Sequence, residues 1–260
     1  MTSPAKTSSV RNRNEFTDAL KRGLYEAIFR RRDIREFTPE PIRDDALARV
    51  LIAAHHAASV GFSQPWDFIV VRSVEARRRV KEIFEEERAK NAAQFTGAQR
   101  EKFLSLKLEG ILEAPINLIV TCTPERFGPA VLGKTSIRDV EIYSACLAVE
   151  NLWLTARAEG LGVGWVSIMR NDALAEIFGI PDSAIPIAYL CMGYVREFPD
   201  RPTLASAQWA ERLPPRSLIH IDNWSKAGTP DDPLIKKIED PSIWRSIFPE
   251  DSPDEPPSRE

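Results

Sequence analysis

Residues 31–37 read Arg-Arg-Asp-Ile-Arg-Glu-Phe, which places one carboxylate among several guanidinium groups directly after a predicted helix. Arginine offers planar, bidentate donors that suit phosphate, so the run predicts a phosphate site with an acid–base group beside it. A second interpretation fits the run alone equally well. Its arginines could form the solvated basic end of the helix, where the macrodipole favours cations.

The composition is that of an ordinary globular protein. The 260 residues are 43% hydrophobic, which suffices for one large domain and excludes a wholly disordered chain. A formal charge of -3 and a pI near 5.8 give no net attraction to nucleic acid or anionic membranes. The longest apolar run, residues 185–195, is shorter than a membrane-spanning helix and predicts a buried strand. We therefore expect neither a nucleic-acid partner nor a membrane partner.

The two ends of the chain differ from its middle. Residues 1–14 are polar and lack the apolar core of a secretory signal, so we expect a disordered lead and a cytoplasmic protein. Residues 225–260 are rich in proline and acidic residues, which predicts a tail rather than a domain. Short apolar groups in that tail could dock onto the body or onto a second subunit. The three cysteines have no CxxC spacing, which predicts structural burial in a reducing compartment.

Between these ends, apolar spacing predicts helices interleaved with strands. The expected helices are residues 15–30, 43–57, 74–90, 100–112, 136–159 and 172–178, and the expected strands are 67–72, 116–121, 163–168 and 185–195. No internal repeat occurs at a fixed period, so we expect one layered α/β-type domain over residues 15–224. The helix at 136–159 is mostly apolar in its middle, which predicts a central helix buried on most sides.

Two common kinds of site are not encoded. Gly160, Gly162 and Gly164 have GxGxG spacing between a helix and a strand, whereas the dinucleotide fingerprint is GxGxxG between a strand and a helix. His55 and His56 are adjacent on a helix and cannot form the i, i+4 pair of a helical metal site. We expect neither a nicotinamide Rossmann site nor a metal centre.

Two further segments carry candidate binding groups. Residues 59–66 read SVGFSQPW and offer the Ser59 hydroxyl and the Gln64 amide, which suit the edge of a heterocycle. Residues 164–167 read GWVS and add an aromatic ring and the Ser167 hydroxyl near a predicted strand. Each segment taken alone is more often structural than functional.

Taken together and in this order, RRDIR, SVGFSQPW and GWVS resemble the motifs of the nitroreductase-like flavoproteins over about residues 16–224. The match is most similar to the branch that converts FMN to 5,6-dimethylbenzimidazole, because Asp33 stands where generic members carry serine. Phe62 stands where an asparagine is typical, and Ala58 where proline often precedes the serine. The resemblance implies a three-layer α+β fold whose mixed, mostly antiparallel sheet is flanked by helices. It also implies an intertwined homodimer with FMN at the subunit interface.

The resemblance implies the site residues as well. The residues expected to bind FMN are Arg31, Arg32, Asp33, Ile34, Arg35, Ser59, Gln64, Gly164 and Ser167. The arginines would hold the phosphate and the ring edge, while Ser59 and Gln64 would contact the ribityl chain and the isoalloxazine. Asp33 is the expected proton-transfer base, and Ser167 is expected over the flavin. Nearby arginines would keep Asp33 ionised and burial would raise its pKa, and the sequence leaves that balance open.

The implied reaction is an oxygen-dependent fragmentation of reduced FMN to 5,6-dimethylbenzimidazole, the lower ligand of cobalamin, with release of D-erythrose 4-phosphate. Flavin is then substrate as well as cofactor. NADH or NADPH would supply electrons indirectly, through a separate flavin reductase or as free reduced FMN. Two alternatives stay open: an NAD(P)H-dependent nitroreductase that reuses FMN, and a flavin-binding protein without turnover. Asp33 and Phe62 argue against the first alternative.

Overall fold

The computed structural model describes residues 14–224 and 228–247. The helices are α1 (Asp18–Arg30), α2 (Asp44–His55), α3 (Val74–Ala92), α4 (Gly97–Ser105), α5 (Val140–Ala158), α6 (Asn171–Phe178), α7 (Thr203–Ser206), α8 (Pro233–Ile238) and α9 (Pro241–Ile247). The strands are β1 (Trp66–Val71), β2 (Ile116–Cys122), β3 (Leu161–Val166) and β4 (Ile185–Tyr194). Short 3₁₀ turns cover Val60–Phe62 and Pro215–Leu218. Within this part of the chain, no helix has the length and hydrophobicity needed to cross a membrane.

Every strand predicted from the sequence is present, whereas one helix ends seven residues before its predicted end. Instead of spanning residues 100–112, α4 ends at Ser105. Beyond that end, the buried Glu109 carboxylate accepts a hydrogen bond from the Ile111 amide at 2.6 Å and pairs with Lys81 at 2.6 Å. These bonds hold residues 109–111 in a turn, because a side chain that binds its own nearby backbone competes with helical hydrogen bonding.

The strands form one sheet in the order β1-β2-β4-β3, and all three strand pairs are antiparallel. An isolated bridge between Asp33 and Val163 is parallel. Side chains of β2 alternate between two cores: Leu118 packs among buried residues of α2 and α5, and Ile119 among those of α3 and α6. Helices therefore cover both faces of the sheet, which confirms the predicted three-layer α+β fold.

The central helix α5 is less enclosed than its sequence predicts. One side packs in the core through residues such as Ala148 and Leu152. The opposite side leaves Tyr143 58% exposed and Leu147 50% exposed. α1 also leaves the apolar side chains of Leu20, Leu24 and Ile28 in solvent, as does Phe16 just before the helix. Both α1 and α5 thus present unpacked apolar surface.

The described part of the C-terminal segment is folded against the body. Ile235 of α8 is fully buried, and α8 packs on the turn Pro215–Leu218. Residues 225–227 and 248–260 of the predicted tail lie outside the described residues, as do residues 1–13 of the predicted lead. The division of the chain at residues 14 and 224 stays a prediction.

Candidate active site

Residues 31–35 form an extended segment rather than the end of a helix. α1 ends at Arg30, and Arg31 has extended angles of φ -65° and ψ 144°. The chain then runs beside β3, where the Ile34 amide donates to the Val163 carbonyl at 2.9 Å. Residues 31–35 therefore lie beyond the helix, and the interpretation of this run as the solvated basic end of the helix is wrong.

Gly164 allows the segment to approach β3 this closely. A Cβ atom on Gly164 would overlap the carbonyl oxygen of Ile34 and the guanidinium of Arg35. Ile34 is itself 3% exposed, so its side chain belongs to the packing and only its backbone could face a ligand. Both residues were predicted to bind FMN. The structure gives each a packing role instead, and direct contact with FMN stays a prediction.

Asp33 and Arg35 form a pair that grips the backbone of Trp165. One Asp33 oxygen, Oδ1, accepts from Arg35 Nη1 at 2.9 Å and from the Trp165 amide at 3.0 Å. The other oxygen, Oδ2, accepts from Arg35 Nη2 alone among the described contacts. Arg35 Nη2 also donates to the Trp165 carbonyl at 2.7 Å. The carboxylate is thereby held in one orientation.

Opposing influences act on the pKa of Asp33. Its side chain is 47% exposed, yet the protein atoms around the carboxylate partly desolvate it. That burial raises the pKa of Asp33, while Arg35, the Trp165 amide and Arg31 act to lower it. Burial is the larger influence, so the pKa lies above the ordinary value of an aspartate.

Arg32 is bound mainly to backbone carbonyls. It is 6% exposed, and its Nη1 donates to the carbonyls of Phe29 at 2.7 Å and Arg31 at 2.9 Å. Its Nη2 donates to the carbonyl of Asp200. The Nη groups of the guanidinium therefore secure backbone turns. Contact of Arg32 with a phosphate stays a prediction.

Arg31 is more available. Its guanidinium lies 5.4 Å from the ring centre of Trp153 and pairs with Glu150 at 3.3 Å. Both members of that ion pair are more than a third exposed, at 38% and 48%. Exposed pairs of this kind contribute about 0–1 kcal/mol and exchange readily for a stronger anion.

A cavity of ≈ 610 Å³ opens beside this segment. Its charged lining comprises four arginines and one lysine against the single carboxylate of Asp33, namely Arg31, Arg32, Arg35, Lys107 and Arg212. Apolar side chains such as Ile28, Leu106 and Leu213 complete the walls. The volume lies in the usual range for small-molecule sites. The cavity suits a ligand with an anionic group and an apolar body.

Arg212 was missed by the sequence reasoning. It lies in an irregular segment without periodic or motif signal, so nothing in the sequence connects it to residues 31–35. Lys107 pairs with Glu113 at 3.1 Å, whereas no residue within 14–224 or 228–247 pairs with the exposed Arg212. Among the basic residues that line the cavity, Arg212 is the one most available for an anionic ligand.

The 59–64 loop adopts an unusual backbone. φ is positive at Gly61 (59°), Phe62 (55°) and Gln64 (41°), and two of these three residues are not glycine. The Ser59 hydroxyl accepts from the Gln64 amide at 3.1 Å, and the Gln64 side chain donates to the Phe62 carbonyl at 3.1 Å. Such conformations persist where the surroundings impose them, often at functional sites. Ser144 of α5 supports the loop through a 3.2 Å bond from the Val60 amide.

This loop lies far from Asp33 within one protomer. β1 and β3 are opposite edges of the sheet, and Asp33 bridges to Val163, which is level with the final residue of β1, Val71. Gln64 precedes the other end of β1. The two sites are thus separated by roughly 25 Å along the strand direction. The cavity lining includes neither Ser59 nor Gln64.

Ser167 lies at the same edge of the sheet as Asp33, the edge formed by β3. It is exposed and follows β3 directly, two residues beyond the Trp165 amide that binds Asp33. The arginine segment and Ser167 are distant in sequence, but β3 brings them to one edge of the sheet within one chain. The catalytic role of Ser167 stays a prediction.

Comparison with known proteins now adds to this geometry. The sequence profile of the protein family described as "Nitroreductase family" matches residues 28–194 of this chain. The chain belongs to the nitroreductase family. This match includes the RRDIR, SVGFSQPW and GWVS segments and confirms the resemblance, while Arg212 and α9 lie beyond it.

Two relatives in the nitroreductase family are bacterial proteins named 5,6-dimethylbenzimidazole synthase. The Rhodospirillum rubrum protein is 36% identical over 200 residues, covering 76% of this chain and 94% of its own. The Rhodobacter capsulatus protein is 35% identical over 199 residues, covering 76% and 96%. A solved structure of iodotyrosine deiodinase bound to FMN and 3-iodo-L-tyrosine is 20% identical, with a TM-score of 0.60 over 77% of this chain and 98% of that one. That likeness shows the shared fold.

Proposed function

We propose that this nitroreductase-family protein binds reduced FMN and converts it, with oxygen, to 5,6-dimethylbenzimidazole and D-erythrose 4-phosphate. The observation that carries the proposal is the position of Asp33: an oriented carboxylate on the wall of a basic cavity. Relatives with the synthase name, at 36% and 35% identity, support the same assignment. The product makes cobalamin assembly the process that the activity would serve, and a cytoplasmic location fits that role.

The cavity fits FMN. The excess of cations along its lining suits the phosphate, and the apolar walls suit the flavin body. Arg31 and Arg212 would hold the phosphate, because Arg32 and Arg35 are engaged by the backbone and by Asp33. When bound, reduced flavin supplies the electrons that activate oxygen. NADH or NADPH would act indirectly, through a separate flavin reductase.

Asp33 is placed to accept a proton from the ligand. Its Oδ1 already receives two hydrogen bonds, while Oδ2 receives one from Arg35, so Oδ2 has the more available lone pair. The raised pKa makes the carboxylate a stronger base than an ordinary aspartate. Arg35 and the Trp165 amide keep it aimed. Ser167 would orient a ribityl hydroxyl from the end of β3.

The complete site requires two protomers. Ser59 and Gln64 contact flavin in this proposal, but they lie at the far edge of the sheet from Asp33 within one chain. The exposed apolar faces of α1 and α5 supply a surface on which a second copy can pack. We therefore infer a homodimer in which Asp33 of one protomer faces the 59–64 loop of its partner.

Subunit complementation tests this arrangement. Asp33→Asn and Gln64→Ala are each expected to inactivate a homodimer. A mixed dimer of the two variants, purified through distinct affinity tags, would hold one intact site and one doubly altered site. We expect it to regain about half of the wild-type rate of dimethylbenzimidazole formation. A mixed dimer as inactive as its parents would place both residues in the same protomer's site and contradict the arrangement.

The role of Arg212 can be separated from general charge effects. Arg212→Gln should weaken FMN binding on the order of tenfold, because a charge-assisted hydrogen bond to the phosphate is lost. Riboflavin lacks the phosphate, so its affinity should not change. Arg78→Gln makes the same charge change at an exposed position of α3 and serves as the control for both ligands. The affinity for each ligand is measured by quenching of flavin fluorescence. Equal weakening of FMN and riboflavin binding would show that Arg212 does not contact phosphate.

Multiple turnover tests the proposed activity against ordinary nitroreduction. The protein is supplied with excess FMN, NADH, oxygen and a separate flavin reductase, and flavin and dimethylbenzimidazole are quantified over time. The proposal predicts that total flavin falls as dimethylbenzimidazole accumulates. A constant flavin pool, with NADH-dependent reduction of an added nitroaromatic, would assign the protein to the flavin-reusing alternative.

A further inference from the structure

The C-terminal segment contributes one wall of the cavity. Trp244 lies on α9 and lines the cavity together with Arg31 and Asp33. The family match ends at residue 194, well before this helix. A segment outside the matched domain therefore reaches the candidate active site.

α8 anchors this segment to the body. The Ile235 side chain is fully buried, and a Cβ on Gly228 would overlap it, so the chain packs tightly there. Arg216 and Glu239 join the segment to the 3₁₀ turn through an ion pair at 3.4 Å. The anchor is specific but small, since it centres on one buried isoleucine and a partly exposed ion pair.

Local hydrogen bonds orient Trp244 on α9. Asp240 directly precedes α9, and its carboxylate oxygen Oδ1 accepts hydrogen bonds from the amide and the hydroxyl of Ser242 at 2.9 and 2.7 Å. The indole N–H of Trp244 donates to the Ile238 carbonyl within the same segment. The polar group of the ring is thereby satisfied, and the ring offers the cavity an aromatic, apolar surface.

We propose that α9 is a reversible cap that closes the cavity over bound flavin, with Trp244 as the contact that retains the ligand. This inference rests on the proposed function, because a protein that consumes flavin must admit a new molecule at every turnover. The cap must open as well as close, and a seven-residue helix held by a small anchor can open locally without global unfolding. A flat, apolar flavin ring complements the indole face, while the cations of the cavity hold the phosphate.

The rate of FMN release tests the cap. Trp244→Ala removes the contact and Ile235→Ala weakens the anchor, both in the full chain. Ile243→Ala is the matched control, because this residue is 41% exposed on the same helix and does not line the cavity. In stopped-flow fluorescence, we expect release on the order of tenfold faster for the first two variants and unchanged for the control. Release from Trp244→Ala at the wild-type rate would overturn the proposal.

Hydrogen exchange supplies a second measurement on the unaltered protein. The amides of α9 should gain protection when the protein is saturated with oxidised FMN, and equal exchange with and without FMN would also overturn the cap. Both measurements report binding rather than turnover. If the variants released FMN faster but the wild-type protein formed no dimethylbenzimidazole, the cap would stand and the proposed function would be refuted. If the wild-type protein formed dimethylbenzimidazole but the variants released FMN at the wild-type rate, the proposed function would stand and the cap would be refuted.

Discussion

Asp33→Asn is expected to lower the rate of dimethylbenzimidazole formation by about a thousandfold while leaving FMN affinity nearly unchanged. The amide oxygen of asparagine can still accept the Trp165 N–H, which preserves the contact with β3. Asparagine cannot take up a proton from the ligand. The loss should therefore fall on the chemical step, and single-turnover product analysis alongside FMN titration measures both quantities.

Glu36→Gln is the matched control for this variant. Glu36 is a neighbouring carboxylate whose side chain is 84% exposed, with Lys107 at 3.9 Å as its ion-pair partner. Its neutralisation should change neither FMN binding nor the rate of product formation. If Asp33→Asn formed product at the rate of Glu36→Gln, Asp33 would have no part in proton transfer.

The pH dependence of the reaction gives the same residue a second readout. A base acts in its deprotonated form, so the rate should fall as pH drops through the pKa of Asp33. Because burial raises that pKa, the fall should begin at higher pH than for an ordinary carboxylate. The residual rate of Asp33→Asn should lack this acidic limb. A limb that persists in the variant would belong to another group.

Gly164→Ala is expected to cost about 3 kcal/mol of unfolding free energy, at the upper end for overpacking, and to abolish FMN binding. The added methyl group would occupy the space of the Ile34 carbonyl and the Arg35 guanidinium. The Ile34 carbonyl belongs to the backbone and cannot rotate aside as a flexible side chain can, so the 31–35 segment has to move away from β3. That movement separates Asp33 from the Trp165 amide and dismantles one wall of the cavity.

Gly23→Ala provides the comparison for this substitution. Gly23 lies within α1 with no atom within 4 Å of an added Cβ, so alanine should stabilise the protein by about 0.5–1 kcal/mol through helix propensity. Urea unfolding measures both free energies. A Gly164→Ala protein as stable as wild type, with normal FMN affinity, would show that close approach of the segment to β3 is not required.

The architecture could be predicted from the sequence because local patterns specify it. Apolar residues at a period of two predicted all four strands, and apolar residues at a period of 3.6 predicted most helices. The motif RRDIR pointed to the candidate active site. The pairing of Asp33 with β3 was not predictable, since its main partner there is the backbone amide of Trp165, which any residue carries. Gly164 was read as a cofactor residue for the same reason: glycine allows close approach but does not say of what.

Roles that depend on long-range packing were the ones missed. The three arginines of RRDIR look equivalent in sequence, yet Arg32 is buried against backbone carbonyls while Arg31 stays accessible. Arg212 and Trp244 lie in segments without a periodic pattern, and only the fold brings them to the cavity.

Fragmentation of FMN can be measured in a single turnover. The protein is loaded with one equivalent of FMN, reduced without oxygen, exposed to air, and its small molecules are quantified by mass spectrometry. We expect one dimethylbenzimidazole and one D-erythrose 4-phosphate for each FMN lost, and formation of the same products about a thousandfold more slowly by Asp33→Asn. Full recovery of intact, reoxidised FMN from the wild-type protein would contradict this expectation.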